Sequence, residues 1–400
     1  MRLPLIALIL VSHLIAFSQT NKTSPQLLWK QQAAAPILGG AAATGNGQLI
    51  YGDTAGNLYL VSLAASTQRL LAKLPTGIQS TPLMVKDTVF VYGNNGVLYA
   101  LNSSNGNIYR ELKTGGEKNY DFWDYYRSSP QYANGLLYFG SGDHCLYAID
   151  PGTGKEKWKF RTEGIVHADP VISNDTLFIG SYDGNMYALN AITGNLIWKF
   201  KAVGDRYFPL GEIQKGALVT EDAVIFGSRD FNIYSIDKRT GTGLWNRKEQ
   251  GSWIIATPLL FKGNIYYGTS DSHAFYASSV ADGNTLWKVP IPFRSYSTAV
   301  QAGGRLFMTC FDGKLYELDP FTGEQRWQFS TMGHQLKGNT IFDPGGHLRK
   351  DFKMYGTDAE TAEAERKIFD QGAILATPLL CEGVLYFGAT DGYFYAIRIY

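Results

Sequence analysis

One short phrase recurs eight times along this chain, and that recurrence limits what it can fold into more than any other feature. A small apolar strand runs, in most copies, into a glycine, then two or three polar residues, then a tyrosine-centred strand. The copies are GDTAGNLYLV (52–61), GNNGVLYALN (93–102), GSGDHCLYAID (140–150), GSYDGNMYALN (180–190), GSRDFNIYSID (227–237), GTSDSHAFYAS (268–278), CFDGKLYELD (310–319) and GATDGYFYAI (388–397). Their tyrosines, Tyr59, Tyr99, Tyr147, Tyr187, Tyr234, Tyr276, Tyr316 and Tyr395, recur roughly every 40 residues, with three longer gaps. A second phrase follows several copies: TGKEKWKF (153–160), TGNLIWKF (193–200), TGTGLWNR (240–247), DGNTLWKV (282–289) and TGEQRWQF (322–329). NGNIYREL (105–112) reads as the same phrase with Tyr109 in place of Trp. A third phrase precedes the tyrosine strands, as in STPLMVKDTVFVYG and ATPLLFKGNIYYG.

Each unit therefore holds four short strands, A to D. Asp-Gly and Asn-Gly supply the positive φ of a tight B–C hairpin, and Thr-Gly does the same between C and D. Four antiparallel strands per period of about 40 residues make a propeller blade, so the expected fold is all-β with eight blades. After Tyr395 there is no room for an outer strand. SPQLLWKQQ, with Trp29, matches NLIWKFK, so residues about 26–32 are expected to complete the last blade and pair the two ends of the repeat region. Residues 19–400 then form one domain, although a chain of 400 residues would ordinarily suggest more.

The phrase G-S-x-D-G-x-x-Y-A-L-x-x-x-T-G-x-x-x-W-K-F, complete at 180–200, resembles the repeat of the pyrroloquinoline-quinone (PQQ)-like β-propellers. That family includes quinoprotein dehydrogenases and the BamB-like subunit of the outer-membrane protein assembly machinery. The resemblance covers residues 26–400 and implies eight blades closed by a composite one. It also implies that Trp158, Trp198, Trp245, Trp287, Trp327 and Trp29 pack blade against blade.

Extra length locates function better than the repeat does. The additions lie at Tyr109–Arg127 (LKTGGEKNYDFWDYY), Trp198–Gln214 (KAVGDRYFPLGE) and 331–371, between blades 7 and 8. All three are D–A connections, which share one face with the B–C turns. That face collects Trp123, Arg127, His167, Arg206, Tyr207, Trp253, Arg294 and Tyr296, the composition of a binding hot spot or of a site for a planar anion. The same residues could instead plug the channel mouth and brace the loops. Within the third addition, DAETAEAERKIFDQG (358–372) suits a short helix with Ala364, Ile368 and Phe369 as its apolar stripe. His334 and His347 lack metal-ligand company and read as surface residues.

Chemistry finds little support. The resemblance to quinoprotein alcohol dehydrogenases implies PQQ with calcium, a catalytic Asp and a disulfide between adjacent cysteines. Cys145, Cys310 and Cys381 are far apart and each lies in an apolar strand. Asp143, Asp183, Asp230, Asp271, Asp312 and Asp391 recur once per blade and read as turn formers, because a catalytic residue needs to be singular. Nucleophile-elbow, zincin and phosphate-loop patterns are absent. No catalytic residue, metal site or cofactor is expected, with PQQ and calcium as the alternative. With 36 basic and 35 acidic groups, a nucleic-acid partner is not expected.

Residues 1–18, MRLPLIALILVSHLIAFS, read as a secretory signal peptide cut before Gln19, with no lipid-attachment Cys after it and no further membrane span. The expectation is an exported, soluble, monomeric propeller in the periplasm or outside the cell. It would act without catalysis, as a BamB-like scaffold for an envelope protein. The alternatives are a PQQ-binding quinoprotein and a propeller that binds a small ligand or a glycan.

Overall fold

A computed structural model describes residues 24–400. The proposed signal peptide lies outside the described residues. The fold is an eight-bladed β-propeller in which every blade is a four-stranded antiparallel sheet. Blade 4 shows the pattern: Val171–Ser173, Thr176–Gly180, Asn185–Asn190 and Leu196–Lys201 follow one another from the axis outward. Blade 8 is composite. Its outer strand is Gln26–Gln32, which pairs antiparallel with Tyr393–Arg398, so both ends of the repeat region lie in one sheet. Among the described residues, no helix is long and apolar enough to cross a membrane.

The tryptophan phrase works between blades. The Trp158 indole rests on Gly194 of the next blade, where an added Cβ would sit 2.6 Å from the ring. Its Nε1 donates to the Ala191 carbonyl at 3.0 Å. The same pairing recurs for Trp198 with Gly241 and the Lys238 carbonyl, Trp245 with Gly283 and the Val280 carbonyl, and Trp287 with Gly323 and the Pro320 carbonyl. Glycine is needed there twice over, for its positive φ and for the room it leaves. Blade 2 corrects the sequence reading. Ala100 faces Arg110, as Ala148 faces Trp158, so Arg110 and not Tyr109 stands in the tryptophan position. Arg110 reaches across to the Pro151 and Gly152 carbonyls, while Tyr109 is exposed.

The Asp–Tyr phrase ties blades at the other end. Asp183 accepts from the Asn185 amide at 2.8 Å, from the Tyr187 hydroxyl at 2.7 Å, and from the Glu163 amide of the preceding connection at 3.0 Å. Asp143, Asp230, Asp312 and Asp391 repeat the bond to the tyrosine four residues on. Blade 6 departs from the rule: one extra residue separates Asp271 from Tyr276, whose hydroxyl turns to Glu249 instead. Asp271, read from the sequence as a turn former, instead accepts from the Tyr355 hydroxyl at 2.7 Å.

The A-strand phrase ties several neighbouring blades together around the axis. Thr81 accepts from the Gly40 amide, Ser129 from the Thr81 amide, Asp169 from the Ser129 amide, and Thr377 from the Thr298 amide. Each hydroxyl or carboxylate satisfies a backbone donor of the neighbouring blade that would otherwise be left without a partner.

Candidate partner-binding face

All three additions lie on one face and meet over the axis. The first, from Thr114 to Arg127, crosses the face as a strap. Tyr120 bonds Glu212 at 2.7 Å, the Gln214 amide donates to the Trp123 carbonyl, and Tyr126 reaches the Leu375 carbonyl at 3.3 Å. The second addition packs beside it: Phe208 meets Trp253 edge-on with ring centres 5.0 Å apart, and Trp253 meets Trp123 likewise at 5.8 Å. The third contributes two helices, α1 (Met332–Lys337) and α2 (Asp358–Asp370). A capping box of Thr357 and Glu360 starts α2. Its inner face is Thr361, Ala364, Glu365 and Ile368, and the half-buried Phe369 packs beside Ile368 against the core.

Glu365 is where the strap, helix and ring converge. One carboxylate oxygen accepts from the Trp123 indole at 3.1 Å and from Arg294 at 3.2 Å; the other accepts from Tyr125. Trp123 and Tyr125 belong to the connection between blades 2 and 3, Arg294 to that between blades 6 and 7. These connections lie half a ring apart, so α2 covers the axis. Arg294 also contacts Asp271 at 3.4 Å and donates to the Tyr355 hydroxyl oxygen at 2.9 Å. Asp271, released from the blade 6 tyrosine, thus helps to hold the third addition down.

A second buried cluster pins the strap. His167 stands between two carboxylates, with Nδ1 3.0 Å from Asp124 and Nε2 2.7 Å from Glu117. Ionised carboxylates only accept, so both ring nitrogens donate and the ring is an imidazolium. Burial opposes that charge, yet bonding to Asp124 and Glu117 outweighs burial and raises the His167 pKa. Burial likewise opposes both carboxylates, but His167 and then Arg127 hold them below their ordinary values. Arg127 adds contacts to Glu117 at 3.4 Å and to the Tyr126 carbonyl at 2.8 Å. Beside this cluster, Arg229 is fully buried. It pairs with Asp121 and lies 4.4 Å from the Trp253 ring centre and 5.2 Å from that of Tyr182.

The structure gathers the eight sequence-selected residues on one face, but not at one surface. Arg127, His167, Trp253, Arg294 and Tyr296 are buried, and Trp123 is half-buried. Arg206 and Tyr207 are exposed on the second addition. What solvent meets here is Phe122 and Tyr120 of the strap with Val203, Tyr207 and Leu210 beside them, Val203 and Tyr207 being 76% and 72% exposed. Sequence reasoning did not single out Glu117, Arg229 or Glu365.

PQQ with calcium would have to enter among these residues. Where a planar quinone would stack over the axis, Tyr125 already packs against Phe311 and Phe369 with ring centres 5.9 and 5.5 Å away. The cysteines are free thiols in blades 3, 7 and 8. Most polar groups of the mouth bond one another, but Arg127 Nε, Glu212 Oε2, Arg294 Nε and the Tyr296 hydroxyl are buried without a hydrogen-bond partner, and the described residues hold no group of three or more His, Cys, Asp or Glu placed for a metal ion.

The profile of a family described as outer membrane protein assembly factor BamB matches residues 14–133, 121–250 and 206–341. Among solved structures, BamB from Moraxella catarrhalis superposes with a TM-score of 0.60 at 18% identity, covering 72% of this chain and 88% of that one. The quinohemoprotein alcohol dehydrogenase from Comamonas testosteroni gives 0.68 at 12% identity, covering 94% and 76%. The computationally designed Ika8 protein gives 0.67 at 13%, covering 92% and 98%. At these identities the likeness is one of fold. No curated protein matches the sequence.

Proposed function

Because the chain belongs to the family described as outer membrane protein assembly factor BamB, we propose that it is a non-enzymatic scaffold that holds a protein partner in the bacterial envelope. One observation carries this reading. On the face that bears every addition, large apolar side chains stand in solvent above a rigid support: Phe122, Val203, Tyr207 and Leu210. Exposed apolar groups gathered on one face mark interaction sites, and aromatic anchors held in place lose little entropy on binding. Arg206 lies over the Tyr207 ring at 5.6 Å and adds a charge that can pair with a partner's carboxylate. The buried polar clusters beneath serve as the support and not as the contact.

The test is binding of the purified chain to the outer-membrane assembly complex of its own organism, with Phe122→Ala and Tyr207→Ala as variants. Each is expected to weaken binding about tenfold, the effect of losing an aromatic anchor, with unchanged Tm. Absence of binding by the parent chain would refute the assembly role. Calorimetric titration with PQQ, with and without calcium, is expected to give no heat; saturable binding abolished by EDTA would overturn the scaffold reading.

A further inference from the structure

The third addition does more than cover the axis. Its first part leans over blade 7 beside the connection from blade 6 and overhangs an open cavity of about 770 Å³, in which Gln325, Gln328, Gln335 and Asn339 are exposed. The floor is blade 7 itself, where Lys314 and Tyr316 of the third strand lie beside Gln328 and Gln325 of the outer strand. Gln335 of α1, His334 and Asn339 form the roof. This cavity is separate from the exposed apolar side chains of the first two additions, and it arises from the one connection long enough to return over its own blade.

The lining chemistry is unusual for its carboxamides. Gln325, Gln328, Gln335 and Asn339 each offer both donors and an acceptor. Gln325 and Gln328 make only a 3.3 Å contact with each other. Gln335 uses its amide on the Ser330 carbonyl and keeps its oxygen free, and the Asn339 side chain has no hydrogen bond among the described residues. His334 also lines the cavity. Its Nδ1 lies 2.5 Å from the Asp312 carbonyl oxygen, which can only accept, so Nδ1 carries a proton.

Charge is nearly silent there. Arg349 is held by both oxygens of Asp351, and Asp343 by the amides of its own turn. The Asp312 carboxyl is buried on the Tyr316 hydroxyl. Lys314 alone has no carboxylate partner among the described residues, too little for a phosphate-bearing ligand. An apolar ligand would leave the carboxamides without partners. Hydroxyl groups, each donor and acceptor at once, match them.

We propose that this cavity binds a neutral oligosaccharide of two or three units, held by the carboxamides of Gln325, Gln328, Gln335 and Asn339 and by His334. The volume lies within the range of small-molecule sites, roughly 300–1,000 Å³. The inference stands apart from the partner-binding reading, since it uses none of the same side chains.

The experiment is calorimetric titration of the full chain with maltotriose, cellotriose, mannotriose and tri-N-acetylchitotriose, each to about 10 mM, where a millimolar site saturates. At least one is expected to bind saturably, and Gln328→Ala and Asn339→Asp are each expected to weaken it about tenfold, or 1.4 kcal/mol, with Tm unchanged. Phe122→Ala is expected to leave it unaltered. Silence of all four sugars, or binding that neither cavity variant changes, overturns the proposal. So does binding only of a control polar peptide, Ser-Gly-Thr-Ser-Gly-Thr.

Discussion

The Trp198 indole lies against Gly241 of the following blade, so close that a Cβ there would come within 2.7 Å of the ring. The contact joins two sheets that share no backbone ladder. Gly241→Ala should therefore lose about 2–4 kcal/mol, the sum of left-handed backbone strain and a core clash. Gly263 also has positive φ, but nothing lies within 4 Å of its absent Cβ. Gly263→Ala should lose only about 1–2 kcal/mol. Urea unfolding of the two variants measures the difference, which isolates the steric part.

Glu365 gathers bonds from opposite sides of the ring, so its loss should free the third addition without unfolding the blades. Glu365→Ala leaves Arg294 buried with Asp271, at 3.4 Å, as its remaining carboxylate partner. Amide exchange across α2 is expected to quicken about 30-fold, the equivalent of about 2 kcal/mol, while blades 1 to 5 keep their protection.

His167 sets a pH dependence whose sign is fixed by its partners. Its pKa is raised in the folded protein, so its stabilising share is complete below about pH 6.5 and is lost as pH rises through the folded value. Asp124 and Glu117 are lowered, so their share is complete above about pH 4.5 and is lost as pH falls through their folded values. Tm should stand on a plateau between these limits and fall on the alkaline side. His167→Gln should flatten that alkaline limb; an unchanged limb would place the pH response elsewhere.

The blades were legible because their signals are local. A hairpin needs a residue that tolerates positive φ, and the tyrosine, aspartate and tryptophan recur at fixed offsets from it. Blade count and closure followed from those offsets. Two local errors came from offsets one residue out, Tyr109 for Arg110 and Asp271 for a turn aspartate. The mouth was less legible because its chemistry depends on contacts across the ring. Glu365 sits in a run that reads as solvated, and only Trp123, Tyr125 and Arg294 bury it. Yet a signal was present. In the phrase G-S-x-D the x position is the one that does not repeat: Tyr182 and Arg229 in blades 4 and 5, with Phe311 at the matching place in blade 7. Those side chains grip the strap, at Asp124, Asp121 and Tyr125. A position that varies inside an otherwise constant repeat is where the repeat meets something unique.

Closure by residues 26–32 also sets a schedule. That strand and its partner at 393–398 are separated by about 360 residues of chain, so their pairing is the sheet contact of greatest loop-closure cost. Until they meet the first segment has no sheet to join, and the ring stands open at one seam. Blades can form in sequence during that interval, but the molecule becomes a closed circle in a single late event, when the two segments find each other.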